Sequence, residues 1–252
     1  KPSTEESAPR RALRLPPLAR RRCAAMLLRS YVEHALYARA HGYFALKQVV
    51  GRLPQPLPFY EMRDEAAYRE AVRARQETGA EGAAWLTPTE TFTPFYGEAF
   101  ARSMVARHRE AHPPDAPLQM LEVGGGNGTF ARDVLQYLRR EEPKLYGSCR
   151  YVLVEISQAL AETQRATLGG ALGDEQLAAR VEVVNEDARV WAEARPGGLR
   201  GPWWMCLLEV LDNLGHDRLR VTGRRGGFEG GGGEASSSRL EQAVVTRLDG
   251  HG

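Results

Sequence analysis

Apolar residues follow two different spacings along this chain, and the alternation between them predicts its architecture. Four short, continuous apolar runs are typical of buried parallel strands, and they lie at Leu118–Val123, Tyr151–Ile156, Val181–Val184 and Trp203–Leu211. Between them, residues 129–141 carry apolar side chains on one helical face, and residues 158–168 also favour a helix. Strands that alternate with helices predict an α/β fold with a mostly parallel, doubly wound sheet and right-handed crossovers.

Helical segments are predicted to dominate the chain before the first strand. The predicted helices are 21–40, 61–77 and 98–110, with an aromatic-rich loop over 85–97. After the fourth strand, residues 223–238 contain seven Gly and three Ser, which predicts a loop, and one short strand is predicted within 243–248. The predicted divisions are a basic arm (1–22), an N-terminal helical extension (23–115), an α/β core that binds the cofactor (116–221) and a C-terminal segment (222–252).

A glycine-rich turn follows the first predicted strand, where residues 118–129 read LQMLEVGGGNGT. Glycine accepts positive φ and lets a ligand approach the backbone closely, and the next helix begins with free N–H groups. The turn therefore predicts a nucleotide-type cofactor site in preference to a simple strand-to-helix connection. The predicted cofactor-binding residues of this turn are Glu122, Gly124, Gly126, Asn127 and Gly128.

The spacing of the glycines separates two classes of cofactor. A dinucleotide fingerprint, G-x-G-x-x-G, would need glycine or alanine at position 129, where this chain has Thr129. The observed form E-x-G-x-G-x-G resembles the first motif of class I S-adenosylmethionine-dependent methyltransferases. A nicotinamide-dependent oxidoreductase is therefore the weaker alternative.

Acidic residues that end the second and third strands are candidates for binding an adenosine. Glu155 lies 27 residues after Gly128, where a carboxylate can accept hydrogen bonds from both ribose hydroxyls. Asp187 follows the third strand, at a place where class I methyltransferases often have an acid near the adenine amino group. Glu186 competes with Asp187 for that role.

Carboxylates also end the fourth strand, in the segment LLEVLDNLGHD. Glu209 and Asp212 there can hold a cationic substrate such as a guanidinium through bidentate, charge-assisted hydrogen bonds, and can take a proton during methyl transfer. We predict them as the catalytic residues. The structural alternative is a helix N-cap formed by Asp212 or Asn213.

Charge is distributed unevenly along the 252 residues. The net charge is +2, but residues 1–30 hold eight Lys/Arg and two Glu, so the remainder carries −4. Residues 10–29 contain seven Arg and no acid, which is typical of an organelle transit segment. A basic arm also suits contact with an acidic surface, RNA included.

The remaining composition disfavours several other classes. Cys23, Cys149 and Cys206 are widely spaced and form no C-x-x-C, so we predict neither a metal site nor a disulfide framework. No run of about 18 apolar residues occurs, so no transmembrane helix is predicted.

Four segments, in this order, together resemble one family, the MidA-like methyltransferases. That group includes a mitochondrial complex I assembly factor that methylates a protein arginine. The segments are Tyr31–Phe44 (Tyr…Leu-Tyr…Gly-Tyr-Phe), Leu86–Glu90 with Tyr96–Glu98 (Thr-Pro-Thr-Glu…Tyr-Gly-Glu), Leu121–Thr129 (Glu-Val-Gly-Gly-Gly-Asn-Gly-Thr) and Glu209–Leu214 (Glu-Val-Leu-Asp-Asn-Leu). The resemblance covers roughly residues 28–218.

The resemblance implies a class I methyltransferase-like sheet, S-adenosylmethionine as cofactor, and a pocket lined by Thr87, Pro88 and Glu90. Family members continue for a long stretch after the fourth strand, whereas 38 residues follow Leu214 here. We therefore expect an apparently truncated C-terminal half, and an apolar edge at the fourth strand. The family's Phe-Gly-Asp-Phe element is also replaced, by residues 82–85.

Two functions are expected from these features. The first is an S-adenosylmethionine-dependent protein arginine methyltransferase that acts in complex I assembly in the mitochondrial matrix, on a protein substrate or partner complex. The alternative is a catalytically inactive, methyltransferase-like structural subunit of an organellar assembly such as the mitochondrial ribosome. The shortened sheet, the basic arm and the Gly/Ser tract motivate the alternative.

Overall fold

A computed structural model describes residues 25–38, 40–46, 50–53, 55–77, 86–222 and 239–246. The elements before the sheet are β1 (Ala25–Leu27), α1 (Leu28–Tyr37), α2 (Tyr43–Leu46), α3 (Glu65–Glu77), α4 (Pro88–Thr91) and α5 (Phe95–Ala111). Those that build the sheet are β2 (Gln119–Val123), α6 (Thr129–Glu141), α7 (Pro143–Ser148), β3 (Arg150–Glu155), α8 (Gln158–Leu172), α9 (Asp174–Arg180), β4 (Val181–Asn185), α10 (Ala188–Glu193) and β5 (Trp204–Cys206). The last elements are β6 (Leu219–Thr222), β7 (Arg239–Gln242) and β8 (Val244–Thr246), and short 3-10 helices lie at Phe59–Glu61 and Leu211–Asn213.

Strands β2 to β5 form one parallel sheet in the order β4-β3-β2-β5. In its register, Leu121 of β2 lies opposite Val152 of β3 and Met205 of β5. The chain builds the sheet outward from β2 to β4 and then returns to the other side of β2 for β5. The predicted α/β class with a parallel sheet is confirmed. The reversal between β2 and β5 is the point where sheets of this kind open a ligand crevice.

Apolar side chains cover both faces of this sheet, because successive residues of a strand point to opposite sides. On one face, Met120 and Leu153 belong to a buried cluster that includes Phe130 of α6. On the other face, Leu121 packs in a cluster with Trp191 of α10. Burial on both faces explains why the strands read as continuous apolar runs.

The chain divides into two units, which we describe separately. Val32–Gly215 holds the four-stranded sheet and the helices around it. The other unit combines Lys1–Tyr31 with His216–Gly252, and its described residues form the antiparallel pairs β1–β8 and β6–β7. An ion pair of 3.5 Å joins Arg29 to Asp217 within that unit.

Most predicted elements are confirmed, and α6 has the predicted bounds. The prediction of one strand over residues 203–211 is wrong, because β5 ends at Cys206 and Glu209 adopts a left-handed φ of 54° that extended backbone cannot continue through. The predicted helix over 21–40 is wrong at its start, where β1 precedes α1. The predicted loop over 85–97 contains α4 and the first turn of α5.

Several predictions concern residues that the structure does not describe. The basic arm (1–22), the Gly/Ser tract (223–238) and residues 82–85 lie outside the described residues. Within the described part, no helix is long and apolar enough to cross a membrane. The same residues contain no group of three or more His, Cys, Asp or Glu side chains arranged to hold a metal ion.

Candidate functional site

A cavity of about 770 Å³ opens beside the carboxyl ends of β2, β3 and β5, within the unit Val32–Gly215. We call it the switch-point pocket. Its wall combines the turn after β2, the end of β3, the residues after β4, and residues 207–210 after β5, with α1 and α4 completing it. The volume lies within the range of about 300–1,000 Å³ found for small-molecule sites.

The turn from Gly124 to Gly128, the glycine turn, depends on glycine at three positions. Gly124, Gly126 and Gly128 have φ of 68°, 53° and 78°, which L-residues rarely adopt. The N–H of Gly124 donates to the Val154 carbonyl (3.0 Å), so the turn is held against β3. At Gly124 and Gly126 the absence of side chains leaves bare backbone in the pocket wall, which fits the close approach of a nucleoside cofactor. Gly128, also predicted to bind the cofactor, is outside the wall and packs against Gln164.

The segment Thr87–Glu90 anchors the other end of the glycine turn. The Thr87 hydroxyl accepts a hydrogen bond from the Glu90 N–H (3.3 Å) and so caps α4, in which Pro88 is the first residue. The Glu90 Oε1 atom accepts from Asn127 Nδ2 (3.1 Å) and from the Thr129 hydroxyl (2.6 Å). Burial raises the pKa of Glu90, against these two opposing hydrogen bonds. Thr87, Pro88 and Glu90 all contribute to the pocket wall.

Glu122 lies beneath the glycine turn and is 2% exposed. Its Oε2 atom accepts a hydrogen bond of 2.7 Å from the Tyr151 hydroxyl. Burial raises the pKa of Glu122 to about 7, although the hydrogen bond from Tyr151 opposes that rise. The native state therefore binds this proton more tightly than the unfolded chain does, and stability falls as the pH rises from about 4.5 to 7.

Glu122→Gln is expected to make the free protein more stable than the wild type at about pH 8, by roughly 1–3 kcal/mol. The amide oxygen keeps the acceptor for Tyr151 and no charge remains to be buried. The gain should disappear at about pH 5, where the wild-type carboxyl is protonated in the native state. Urea unfolding at both pH values measures the difference. Glu162→Gln, on the exposed side of α8, should show no such pH dependence, and a gain for Glu122→Gln that is equal at both pH values would contradict this account.

Glu155 lies at the end of β3 and is 4% exposed. Its Oε1 accepts from the Ser157 N–H (2.9 Å) and its Oε2 accepts from Gln164 Nε2 (3.2 Å). Each carboxylate oxygen has a second lone pair, so both can still accept a hydroxyl. Burial raises the pKa of Glu155 to about 7, against the hydrogen bond from the Ser157 N–H. Gln164 also donates to the Gly126 carbonyl (3.0 Å) and so joins Glu155 to the glycine turn.

Asp187 is held by Arg189, a residue that the sequence pattern did not indicate. Its carboxylate caps α10 by accepting from the Arg189 N–H (2.8 Å), and its Oδ2 accepts from Arg189 Nη2 (2.7 Å). The hydrogen bond from the Arg189 side chain lowers the pKa of Asp187. Arg189 also contacts Glu33 of α1 (3.1 Å). Glu186, the competing candidate for the same role, is in the pocket wall as well.

The structure brings Glu209 to the pocket wall but not Asp212, so the predicted pair of carboxylates does not face the cavity together. After Val210 the chain enters a 3-10 helix, and Asp212 is exposed on it without capping a helix. Asn213 Nδ2 donates to the Glu209 carbonyl (2.8 Å), and the Tyr37 hydroxyl donates to the Asn213 carbonyl (2.9 Å). These bonds hold the strained backbone of Glu209 in place.

Three residues of this region were missed from sequence. Tyr151 could have been found, because it stands opposite Met120 in the register and so shares a face with Glu122. Gln164 follows the Ser157 cap of α8 by two turns, on its buried face. Arg189 gives no local signal other than its position two residues after Asp187.

A family model described as "Putative S-adenosyl-L-methionine-dependent methyltransferase" matches residues 99–244 of the chain. The matched part contains the glycine turn, Glu155, Asp187 and Glu209. No curated protein matches the chain significantly.

Solved structures resemble the chain in fold. One is a protein from Burkholderia thailandensis described as a "likely methyl transferase", bound to S-adenosyl-homocysteine, with 22% identity and a TM-score of 0.50 over 90% of this chain and 47% of that chain. A second, an uncharacterized protein from the same organism, has 22% identity and a TM-score of 0.47 over 88% of this chain and 44% of that one. The chain thus spans about half the length of these structures. It belongs to the family of S-adenosyl-L-methionine-dependent methyltransferases, which confirms S-adenosylmethionine as the predicted cofactor.

Proposed function

We propose that this chain carries the cofactor site and the substrate-facing carboxylate of a MidA-like protein arginine methyltransferase. One observation carries the proposal: the glycine turn and Glu209 border the same cavity, at the reversal between β2 and β5. A cofactor on the turn and a side chain beside Glu209 would therefore share one pocket.

The charge of the switch-point pocket favours a cationic substrate. Seven carboxylic acids belong to its wall, namely Glu33, Glu90, Glu122, Glu155, Glu186, Asp187 and Glu209. Among the described wall residues Arg189 is the single Lys or Arg, and its guanidinium is paired with Asp187 and Glu33. A cleft with one sign of charge concentrates ligands of the opposite sign, and a guanidinium matches a carboxylate bidentately.

The cofactor supplies a methyl group activated by its sulfonium charge. The residues of this chain would act chiefly by positioning. Glu209 would orient the guanidinium and receive a proton from the attacking nitrogen, since its carboxylate is exposed to the pocket. The glycine turn, Glu155 and either Asp187 or Glu186 would hold the adenosine half, for which Asp187 would have to share its carboxylate with Arg189.

Cofactor affinity should depend on the ionisation of Glu155, the proposed ribose acceptor. Because its pKa is about 7, the ionised fraction falls roughly tenfold between about pH 8 and pH 6, and the dissociation constant for S-adenosylhomocysteine should rise by a similar factor. Calorimetric titration at both pH values measures it. Glu155→Gln should bind more weakly at pH 8 and lose most of the pH dependence, whereas Glu122→Gln should retain most of it. A pH dependence as large in Glu155→Gln as in the wild type would contradict the ribose role.

Methyl transfer to arginine tests the proposal itself. The protein is incubated with S-adenosylmethionine and acidic, neutral and arginine-rich peptides, and the products are identified by mass spectrometry. The proposal predicts mono- or dimethylated arginine and no methylated lysine, glutamate or histidine. Methylation of another residue type, in the presence of proven cofactor binding, would overturn the arginine assignment alone.

We further propose that the protein acts in the mitochondrial matrix during complex I assembly. The support for this proposal is the resemblance of the four segments and the seven Arg without acid in residues 10–29. A fusion of residues 1–40 to a fluorescent protein should enter mitochondria, and depletion of the protein should reduce assembled complex I. Cytosolic retention of the fusion would remove the support that the arginine-rich segment gives.

A second candidate function is a methyltransferase-like structural subunit without activity, for example in a mitochondrial ribosome, with RNA contact through the basic arm. The observation that favours it is the edge of the sheet: in the described part of the chain β5 pairs only with β2, and Met205 on it is 60% exposed. Such an edge suits coverage by a partner. Stable co-purification with RNA or a large complex, without methyl transfer, would favour this candidate over the enzyme.

A further inference from the structure

Glu90 has one carboxylate oxygen that is fixed in place and one that is not. Its Oε1 accepts from both Asn127 and Thr129, so the side chain cannot rotate freely. Its Oε2 accepts no hydrogen bond from any described residue, although Glu90 is only 3% exposed and forms part of the pocket wall. Glu90 Oε2 is not among the fully buried atoms that lack a partner, and Glu90 borders the pocket, so this oxygen is open to a donor from a ligand.

A second acceptor in the same corner also lacks a donor. Asn127 Oδ1 is buried with no hydrogen-bond partner among the described residues. The orientation of this amide follows from its Nδ2, which donates to Glu90 Oε1 and to the Gly51 carbonyl (3.1 Å each). The corner between α4 and the glycine turn therefore offers acceptors and negative charge.

The chemistry of the cofactor contains one group that matches such a corner. Beyond its adenosine, S-adenosylmethionine carries a sulfonium, a carboxylate and an α-ammonium, and only the ammonium is a cationic hydrogen-bond donor. A carboxylate placed beside Glu90 would be repelled. We infer that Glu90 binds the α-ammonium group of the cofactor's amino-acid half through its Oε2 atom.

The other buried acids are less suited to this role. Glu122 has its carboxylate engaged by Tyr151 below the turn, and Glu155 lies at the end of β3 with Ser157 and Gln164. Glu122 Oε1 also has no described donor, but it lies beside Gly125. Of the three acids, only Glu90 has such an oxygen on the α4 side of the turn. The inference rests on the cofactor site of the proposed function and is independent of the arginine substrate.

Two ligands separate this role from a purely structural one. S-adenosylhomocysteine has the amino-acid half, and 5′-methylthioadenosine shares its adenosine thioether but lacks that half. Glu90→Gln keeps an oxygen acceptor for Asn127 and Thr129 while replacing Oε2 by an N–H donor. We expect Glu90→Gln to lower the affinity for S-adenosylhomocysteine by roughly 10- to 100-fold. The affinity for 5′-methylthioadenosine should change by less than about twofold, as measured by calorimetry.

Equal losses for both ligands, or no loss for either, would overturn the inference. Glu98→Gln on the neighbouring helix α5 is the matched control and should leave both affinities unchanged, because Glu98 is outside the pocket wall and pairs with Arg140. Glu90→Ala also removes the hydrogen-bond acceptor of Asn127 and Thr129, so it should lower the affinity for both ligands. If Glu90→Gln does not fold, the wild type is titrated with S-adenosylhomocysteine and with its analogue that lacks the α-amino group. The inference predicts a loss of affinity of roughly 10- to 100-fold for the analogue, and equal affinities would overturn it.

Discussion

Gly128→Val is expected to abolish cofactor binding, with a loss of at least about 100-fold in affinity for S-adenosylhomocysteine. Gly128 has a φ of 78°, which costs an L-residue roughly 1–2 kcal/mol and a β-branched residue more. A Cβ at this position would also lie 3.2 Å from the Cα of Gln164. Because Gln164 holds both the Gly126 carbonyl and Glu155, displacing it disturbs the turn and the proposed ribose acceptor together.

Calorimetric titration of Gly128→Val with S-adenosylhomocysteine measures this loss, and circular dichroism shows whether the fold persists. Gly170→Ala is the matched control, because Gly170 lies on α8 with nothing within 4 Å of an added Cβ and no positive φ. It should bind as the wild type does. Undiminished binding by a folded Gly128→Val protein would show that the turn does not contribute to the cofactor site.

Glu209→Gln should reduce methyl transfer to arginine by roughly 100- to 1,000-fold while leaving cofactor affinity within about twofold. The substitution removes the charge that would orient the guanidinium and take up its proton, and it leaves the glycine turn and Glu155 unaltered. Single-turnover transfer from labelled S-adenosylmethionine to an arginine peptide measures the loss. The side chain of Asp212 is outside the pocket wall, so Asp212→Asn should reduce the rate of methyl transfer by less than about threefold.

Glu209→Gly separates the role of the carboxylate from that of the backbone. Glycine tolerates the φ of 54° that strains Glu209, so the variant should unfold at the same temperature as the wild type or higher. Its activity should still fall as far as that of Glu209→Gln. Retained activity in either variant would show that the Glu209 carboxylate has no role in methyl transfer. A larger loss of activity in Asp212→Asn would show that Asp212 contributes more than Glu209.

The parts of the site that sequence predicted are local in the chain. The strand, the glycine turn and the helix over residues 118–141 follow one another directly. Each has its own sequence pattern, namely an apolar run, closely spaced glycines and the periodicity of an amphipathic helix. The position of Glu155 follows from the next strand, because carboxyl ends of parallel strands meet at one edge of a sheet. These features need no knowledge of distant contacts.

The parts that sequence missed depend on contacts between distant residues. Thr129 and Glu90 are 39 positions apart, Arg189 and Glu33 are 156 apart, and Tyr37 and Asn213 are 176 apart. No periodicity relates such pairs, so the contact of Arg189 with Glu33 was not foreseeable.

The fourth strand was predicted too long for a related reason. Apolar residues continue to Leu211, but hydrophobicity carries no information about the backbone angle φ. The backbone leaves the extended region at Glu209. The same turn separates Glu209 from Asp212, so the error in the strand and the missing carboxylate pair have one cause.

The claim on which everything else depends is that residues 32–215 form a binding site for S-adenosylmethionine. Titration of the purified chain with S-adenosylhomocysteine by calorimetry, paired with thermal unfolding in its presence and absence, tests it most directly. We expect saturable heat at one site per chain and a higher unfolding temperature with ligand. A folded chain that shows no heat and no stabilisation would contradict it.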